Sequence, residues 1–134
     1  MEDSALQEAH RWLQLILEAS SDAALLVDSR GRIRYANNIA SLMFGYTQEE
    51  FLALTGVEQL MPEEQRSRHV GDREGYFAQP TARAMAGRGR LFGLNRWGIG
   101  IPVEVSLSPL PFPGENFVVA YLNDQTWQYA TEQA

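Results

Sequence analysis

The chain has 134 residues, 45% of them hydrophobic, and a formal charge of −6. That suffices for one domain with a real core, and it argues against a non-specific grip on nucleic acid, which needs clustered cations. With no cysteine and only His10 and His69, disulfides, thiolate catalysis, Cys-ligated zinc and multi-histidine metal sites are excluded. No apolar run approaches the roughly 18–20 residues of a membrane span. The start Met1-Glu2-Asp3-Ser4 lacks the basic-then-apolar order of a secretory signal, so the expected location is cytoplasmic. Every basic residue is arginine, and the locally basic stretch from Arg66 to Arg96 reads as solvated surface.

Ser4 to Ala19 has helical periodicity, with Leu6, Ala9, Leu13, Ile16 and Leu17 forming one apolar stripe. Trp12 and Leu15 widen that stripe beyond one packing surface. Such a helix covers its own domain on one flank and a partner subunit on the other, or is buried on both sides in a monomer. Ala23 to Asp28 and Ile33 to Ala36 read as strands joined at Ser29-Arg30-Gly31-Arg32 in a β-hairpin. Asn37 and Asn38 suit an N-cap for a short helix from Ile39 to Phe44, which Gly45 ends. Thr47 and Glu50 form a capping box that starts a helix through Leu54.

Pro62 is placed as the first residue of a longer helix to about Ala78, with Glu63 and Glu64 at its positive end. Pro80 terminates it, and Arg83 to Gly89 reads as a connection. Three strands close the chain: Arg90 to Arg96, Ile101 to Leu110 and Asn116 to Asn123. The middle one alternates, with Ile101, Val103, Val105 and Leu107 on one face. Strands separated by a block of helices point to an antiparallel sheet with helices on one face, an α+β fold.

Catalytic motifs are missing from this pattern. No serine lies in a Gly-x-Ser-x-Gly elbow, and Gly87-Arg88-Gly89 lacks the context of a dinucleotide loop. The pairs Glu49-Glu50 and Glu63-Glu64 read as helix-start carboxylates. The segment is not expected to be an enzyme.

The order of elements, and local sequences along most of the chain, resemble the PAS family. Those sequences are Ala23-Ala24-Leu25-Leu26-Val27-Asp28, Gly31-Arg32-Ile33, Tyr35-Ala36-Asn37, Phe44-Gly45-Tyr46, Glu49-Glu50-Phe51, Leu60-Met61-Pro62, Ile101 to Ser108 and Asp124-Gln125-Thr126. The resemblance implies a five-stranded antiparallel sheet, a pocket between sheet and short helices, and a flanking helix that supports homodimerisation. On that basis residues 1–20 are the flanking helix, with Leu6, Leu13 and Ile16 as its dimer surface. Residues 21–126 are the PAS domain, and residues 127–134 begin a linker to an output domain of a signalling protein, such as a two-component kinase or a cyclic-dinucleotide enzyme. Asp124 and Thr126 match the family's terminal Asp-Ile-Thr element, which passes the signal onward; Gln125 replaces its apolar middle residue. The usual Arg-Lys-Asp-Gly turn is here Asn95-Arg96-Trp97-Gly98. Its exposed indole either folds back on its own domain or meets a partner.

The segment Leu60-Met61-Pro62-Glu63 through Arg66-Ser67-Arg68-His69 is similar to that of the rhizobial oxygen-sensor kinases. There a histidine at the position of His69 is the proximal ligand of heme iron, which makes His69 the candidate heme ligand. Val103, Val105 and Leu107 would line the sheet side of the pocket, and Tyr76, on the same helix face as His69, would help fill it. The arginine that holds bound gas in those sensors aligns with Gly89, between Arg88 and Arg90. Heme, a small metabolite, and an apolar-filled pocket serving a ligand-free dimerisation module are the open readings.

Overall fold

The computed structural model describes residues 2–81, 83–84, 91–127 and 130. The expected Gly89 and Arg90 positions and most of the 127–134 linker lie outside them.

The elements run α1 (Glu2–Glu18), β1 (Ala23–Asp28), β2 (Ile33–Ala36), α2 (Asn38–Phe44), α3 (Gln48–Ala53), 3-10 turns at Val57–Leu60 and Glu63–Gln65, then α4 (Arg66–Ala78). Strands β3 (Arg83–Ala84), β4 (Leu91–Leu94), β5 (Gly100–Phe112) and β6 (Glu115–Asp124) follow. All pairings are antiparallel in the order β2-β1-β6-β5, and β3 and β4 lie in line along the outer edge of β5. Six strands therefore fill five positions, as the α+β reading requires. The short β3 falls where a plain connection was expected; Arg83 and Ala84 pair with Leu107 and Ser106.

All six residues of β1 are buried, because both faces of the strand are covered. Ala23, Leu25 and Val27 join Phe44, Phe51, Leu60 and Tyr76 in the core beneath the helices. Ala24 and Leu26 pack with Leu17 of α1 and Val119 on the opposite face. A continuous apolar run, instead of a strict alternation, is the sequence mark of that arrangement. Leu13 also sits against this second cluster. Trp12, Leu15 and Ile16 stay more than half exposed.

The C-terminal end of α1 is tied down by polar contacts. Glu18 accepts from the Tyr35 hydroxyl and from the Asn38 backbone N–H at 2.8 Å. Burial first, and the Glu18 carboxylate second, push the Tyr35 hydroxyl up to about 12, so it stays a donor.

Asn37 caps α2, and Thr47 and Glu50 form the reciprocal capping box of α3. Gly45 ends α2 with φ 82, a left-handed conformation that favours glycine. The Trp97 ring lies against it, so that a Cβ at Gly45 would fall 2.5 Å from the indole. Arg96 reinforces the contact. Its N–H donates to the Phe44 carbonyl at 3.0 Å, and its guanidinium donates to the Gly45 carbonyl at 2.9 Å and to Glu50 at 3.0 Å. The indole thus folds back on its own domain, though 68% of its surface remains exposed.

One boundary differs from expectation. Pro62 has ψ 141, which is extended, and it precedes a 3-10 turn; α4 begins only at Arg66.

Candidate functional site

Between α4, the Val57–Leu60 turn and the concave side of the sheet lies a cavity of about 150 Å3. Its sheet wall is alternate residues of three strands: Leu25 and Val27 of β1, Val118, Ala120 and Leu122 of β6, and Val103, Val105 and Leu107 of β5. The pleat sends every second side chain to one face, and the register sets Val105 opposite Leu122 and Leu107 opposite Ala120. Tyr76 and Phe77 of α4 and Leu91 and Phe92 of β4 complete the apolar wall. Polar side chains enter along the helix side, from Gln65, His69, Asp72 and Arg73. His69, Tyr76, Val103, Val105 and Leu107 therefore line one cavity. The proposed dimer residues lie elsewhere: Leu13 against its own sheet, Ile16 exposed on α1, and the Leu6 side chain outside what the structure describes.

His69 belongs to a polar cluster. Its Nδ1 is 2.6 Å from Glu58 Oε2. Arg73, one helical turn on, donates from Nε to the same oxygen at 3.1 Å and from Nη2 to Glu58 Oε1 at 3.3 Å. Its third nitrogen donates to the Ser29 carbonyl at 2.9 Å. Glu58 is only 9% exposed, a depth at which a carboxylate needs a partner. Burial alone would raise its pKa. The hydrogen bonds from His69 and Arg73 and the Arg73 charge outweigh that and hold the carboxyl below its ordinary value.

The hairpin is locked to the same cluster. Gly31 has φ 86 and accepts from the Val57 N–H at 2.7 Å. A Cβ on Gly31 would fall 2.6 Å from the Arg73 guanidinium carbon. One polar cluster thus fastens α4 and the turn below it to the tip of the β1–β2 hairpin.

Glu58 and Arg73 escaped the sequence reading. The turn carrying Glu58 has no strong local signature. A usable signal was the four-residue spacing of His69 and Arg73, which puts both on one helix face.

The far end of β6 carries the terminal element. Asp124 Oδ1 accepts from the Thr126 N–H at 2.8 Å and from the Thr126 hydroxyl. The Gln125 N–H donates to the Pro102 carbonyl at 2.8 Å. Val103 of the cavity wall pairs directly with Asp124.

Heme can be tested against these residues. An imidazole whose Nδ1 is held by a carboxylate has Nε2 free for a metal, the usual arrangement around a ligating histidine. The volume does not agree. Cavities of about 150 Å3 hold a molecule like benzene, and a porphyrin is several times larger. The site in this form does not fit heme. No group of three or more His, Cys, Asp or Glu side chains able to hold a metal ion occurs among the described residues.

An antiparallel sheet with short helices packed over a partly open apolar cavity is the architecture of a family of sensory modules. The chain belongs to the PAS fold family, whose model matches residues 12–124. It is 28% identical to Sensor protein FixL of Bradyrhizobium diazoefficiens, over 97% of this chain and 26% of that protein. It is 42% identical to the cell-division control histidine kinase PdhS of Brucella ovis over 50 residues, 37% of this chain and 5% of that protein. A PAS domain of a Desulfitobacterium hafniense protein superposes with a TM-score of 0.70 at 21% identity, covering 82% of this chain and 98% of that one. The chain thus spans about a quarter or less of the curated relatives named here. PAS domains are sensory modules and not catalytic ones. No helix among the described residues is long and apolar enough to cross a membrane.

Proposed function

We propose that this domain binds a small ligand in the cavity beneath α4 and passes the change through β6 to an output domain joined to it in a cytoplasmic signalling protein. The observation that carries this reading is the cavity, apolar on its sheet side with polar side chains along α4 and the turn that leads into it, the usual composition of small-molecule sites. The route is short. Leu122 lines the cavity and lies two residues before Asp124, whose carboxylate caps the turn at Thr126. A ligand acts by favouring one of two arrangements of that exit. Output through a histidine kinase is supported by the sensor and kinase relatives.

The same proposal gives α1 a second role. Leu17 and Leu13 face the sheet, while Trp12, Leu15 and Ile16, 60%, 55% and 60% exposed, form an apolar flank beyond it. A second copy of the chain covers that flank in a homodimer.

Native mass spectrometry of the purified domain reads both parts. The expected spectrum shows a dimer carrying a small adduct, and the Ile16→Glu variant appears as monomer. A mass increment equal to heme, with a Soret band abolished in His69→Ala, would replace the small-ligand reading. A monomer without adduct under all conditions would contradict it.

A further inference from the structure

The polar groups facing the cavity are unequally committed. Arg73 spends all three nitrogens on Glu58 and the Ser29 carbonyl. Both oxygens of Glu58 are taken by Arg73 and His69. Asp72 and Tyr76 each make a further interaction. Two side chains along the helix side keep hydrogen-bonding capacity. Among the described residues the Gln65 side chain makes no hydrogen bond and His69 bonds through Nδ1 alone, which leaves its Nε2 open. Gln65, in the 3-10 turn that leads into α4, stands four residues before His69, and both line the cavity.

We propose that the cavity takes a largely apolar molecule of about the size of a benzene ring carrying one hydroxyl group, which is held by Gln65 and by Nε2 of His69. This rests on the reading of the cavity as a ligand site and adds the chemical class of the ligand. A cavity of about 150 Å3 suits a molecule of that size; drug-sized pockets begin at about 300 Å3. The free groups set the polar part. With Nδ1–H donating to Glu58, a neutral His69 offers an acceptor at Nε2, and a protonated one offers a donor. A hydroxyl both donates and accepts, so it satisfies either form. The Gln65 amide likewise supplies a donor or an acceptor.

Other headgroups fit less well. A carboxylate would meet an arginine already neutralised by Glu58, with Asp72 also at the rim. An ammonium would find both Glu58 oxygens occupied. A purely apolar ligand would leave the open polar groups of Gln65 and His69 unused.

The test compares phenol with benzene by methyl NMR titration of the whole domain. Wild type, His69→Leu and Gln65→Leu are each titrated. Phenol is expected to bind wild type, and its preference over benzene is expected to fall about fivefold in each variant, the size of one hydrogen bond, while benzene binding persists. Gln65 stands outside the Glu58 cluster, so its variant keeps the test decisive if His69→Leu is unstable. A phenol-to-benzene ratio unchanged in both variants overturns the hydroxyl assignment and leaves the cavity reading intact. Failure of both molecules to bind wild type overturns the cavity reading, and this proposal with it.

Discussion

Replacing Asn37 by alanine is expected to destabilise the domain by about 3–5 kcal/mol, near the upper end for a single substitution. Asn37 is fully buried and uses its whole hydrogen-bonding capacity. Its amide nitrogen donates to the Leu17 carbonyl at 2.8 Å and the Asp22 carbonyl at 3.0 Å. Its oxygen accepts from the Ala24 and Ala40 N–H groups, each at 3.0 Å. One side chain therefore joins the end of α1, the start of β1 and the start of α2. Alanine strands the Ala24 and Ala40 N–H groups and removes the Asp22 carbonyl's bond, while the Leu17 carbonyl keeps only a longer bond from the Ser20 N–H at 3.3 Å, each such loss costing on the order of 1 kcal/mol or more. Urea denaturation would show the midpoint falling with little change in slope. A loss below about 1 kcal/mol, the value of an ordinary exposed cap, would contradict the structural role given to Asn37.

The second large effect is expected at Glu58. Glu58→Ala leaves the Arg73 guanidinium, whose side chain is only 11% exposed, without its counter-charge. Breaking a largely buried pair by removing one partner costs on the order of 3 kcal/mol. Removing Arg73 and Glu58 together is expected to cost less than the sum of the single losses, because neither charge is then stranded. The pH dependence follows from the direction of the Glu58 shift. Its folded-state pKa is depressed, so the unfolded chain takes up the proton more readily. The stabilisation is complete above the unfolded glutamate value of about 4.3 and is lost as pH falls through the lower folded value. Glu50 acts in the same direction, lowered chiefly by its hydrogen bond with the Thr47 backbone N–H. Denaturation midpoints measured below about pH 5 should fall more steeply in wild type than in Glu58→Gln. Parallel curves would show that the cluster contributes nothing to acid stability.

Much of the fold was legible because it rests on local rules. The Asn37 cap, the Thr47–Glu50 box, the Gly45 terminator and the Gly31 hairpin are each written within a few residues. The Val103–Val105–Leu107 face follows from the two-residue period of a strand. The Leu25–Val27 contribution was harder to see, because a strand covered on both faces hides its period in a continuous apolar run. Long-range polar chemistry was not legible at all. Nothing near Glu58 announces that Arg73, 15 residues on, will enclose its carboxylate, or that Ser29 will receive the third guanidinium nitrogen. The late start of α4 shows the limit of a local rule: the fixed φ of Pro62 suits a first helical turn, but φ alone does not set ψ, which is extended here. The apolar excess of α1 was visible as Trp12 and Leu15. Which residues face the sheet depends on helix rotation, and the structure assigns that contact to Leu13 and Leu17.

The most direct test of the account is a toluene titration of the labelled domain, followed at the cavity methyls and at the chain exit together. Val103, Val105 and Leu107 methyl signals should shift saturably, and the Thr126 amide should move with the same midpoint. That result would tie occupancy of the cavity to the Asp124–Thr126 exit. Saturating methyl shifts with an unmoved Thr126 amide would contradict the sensory claim, and shifts confined to the exposed Trp12–Ile16 flank would contradict the cavity itself.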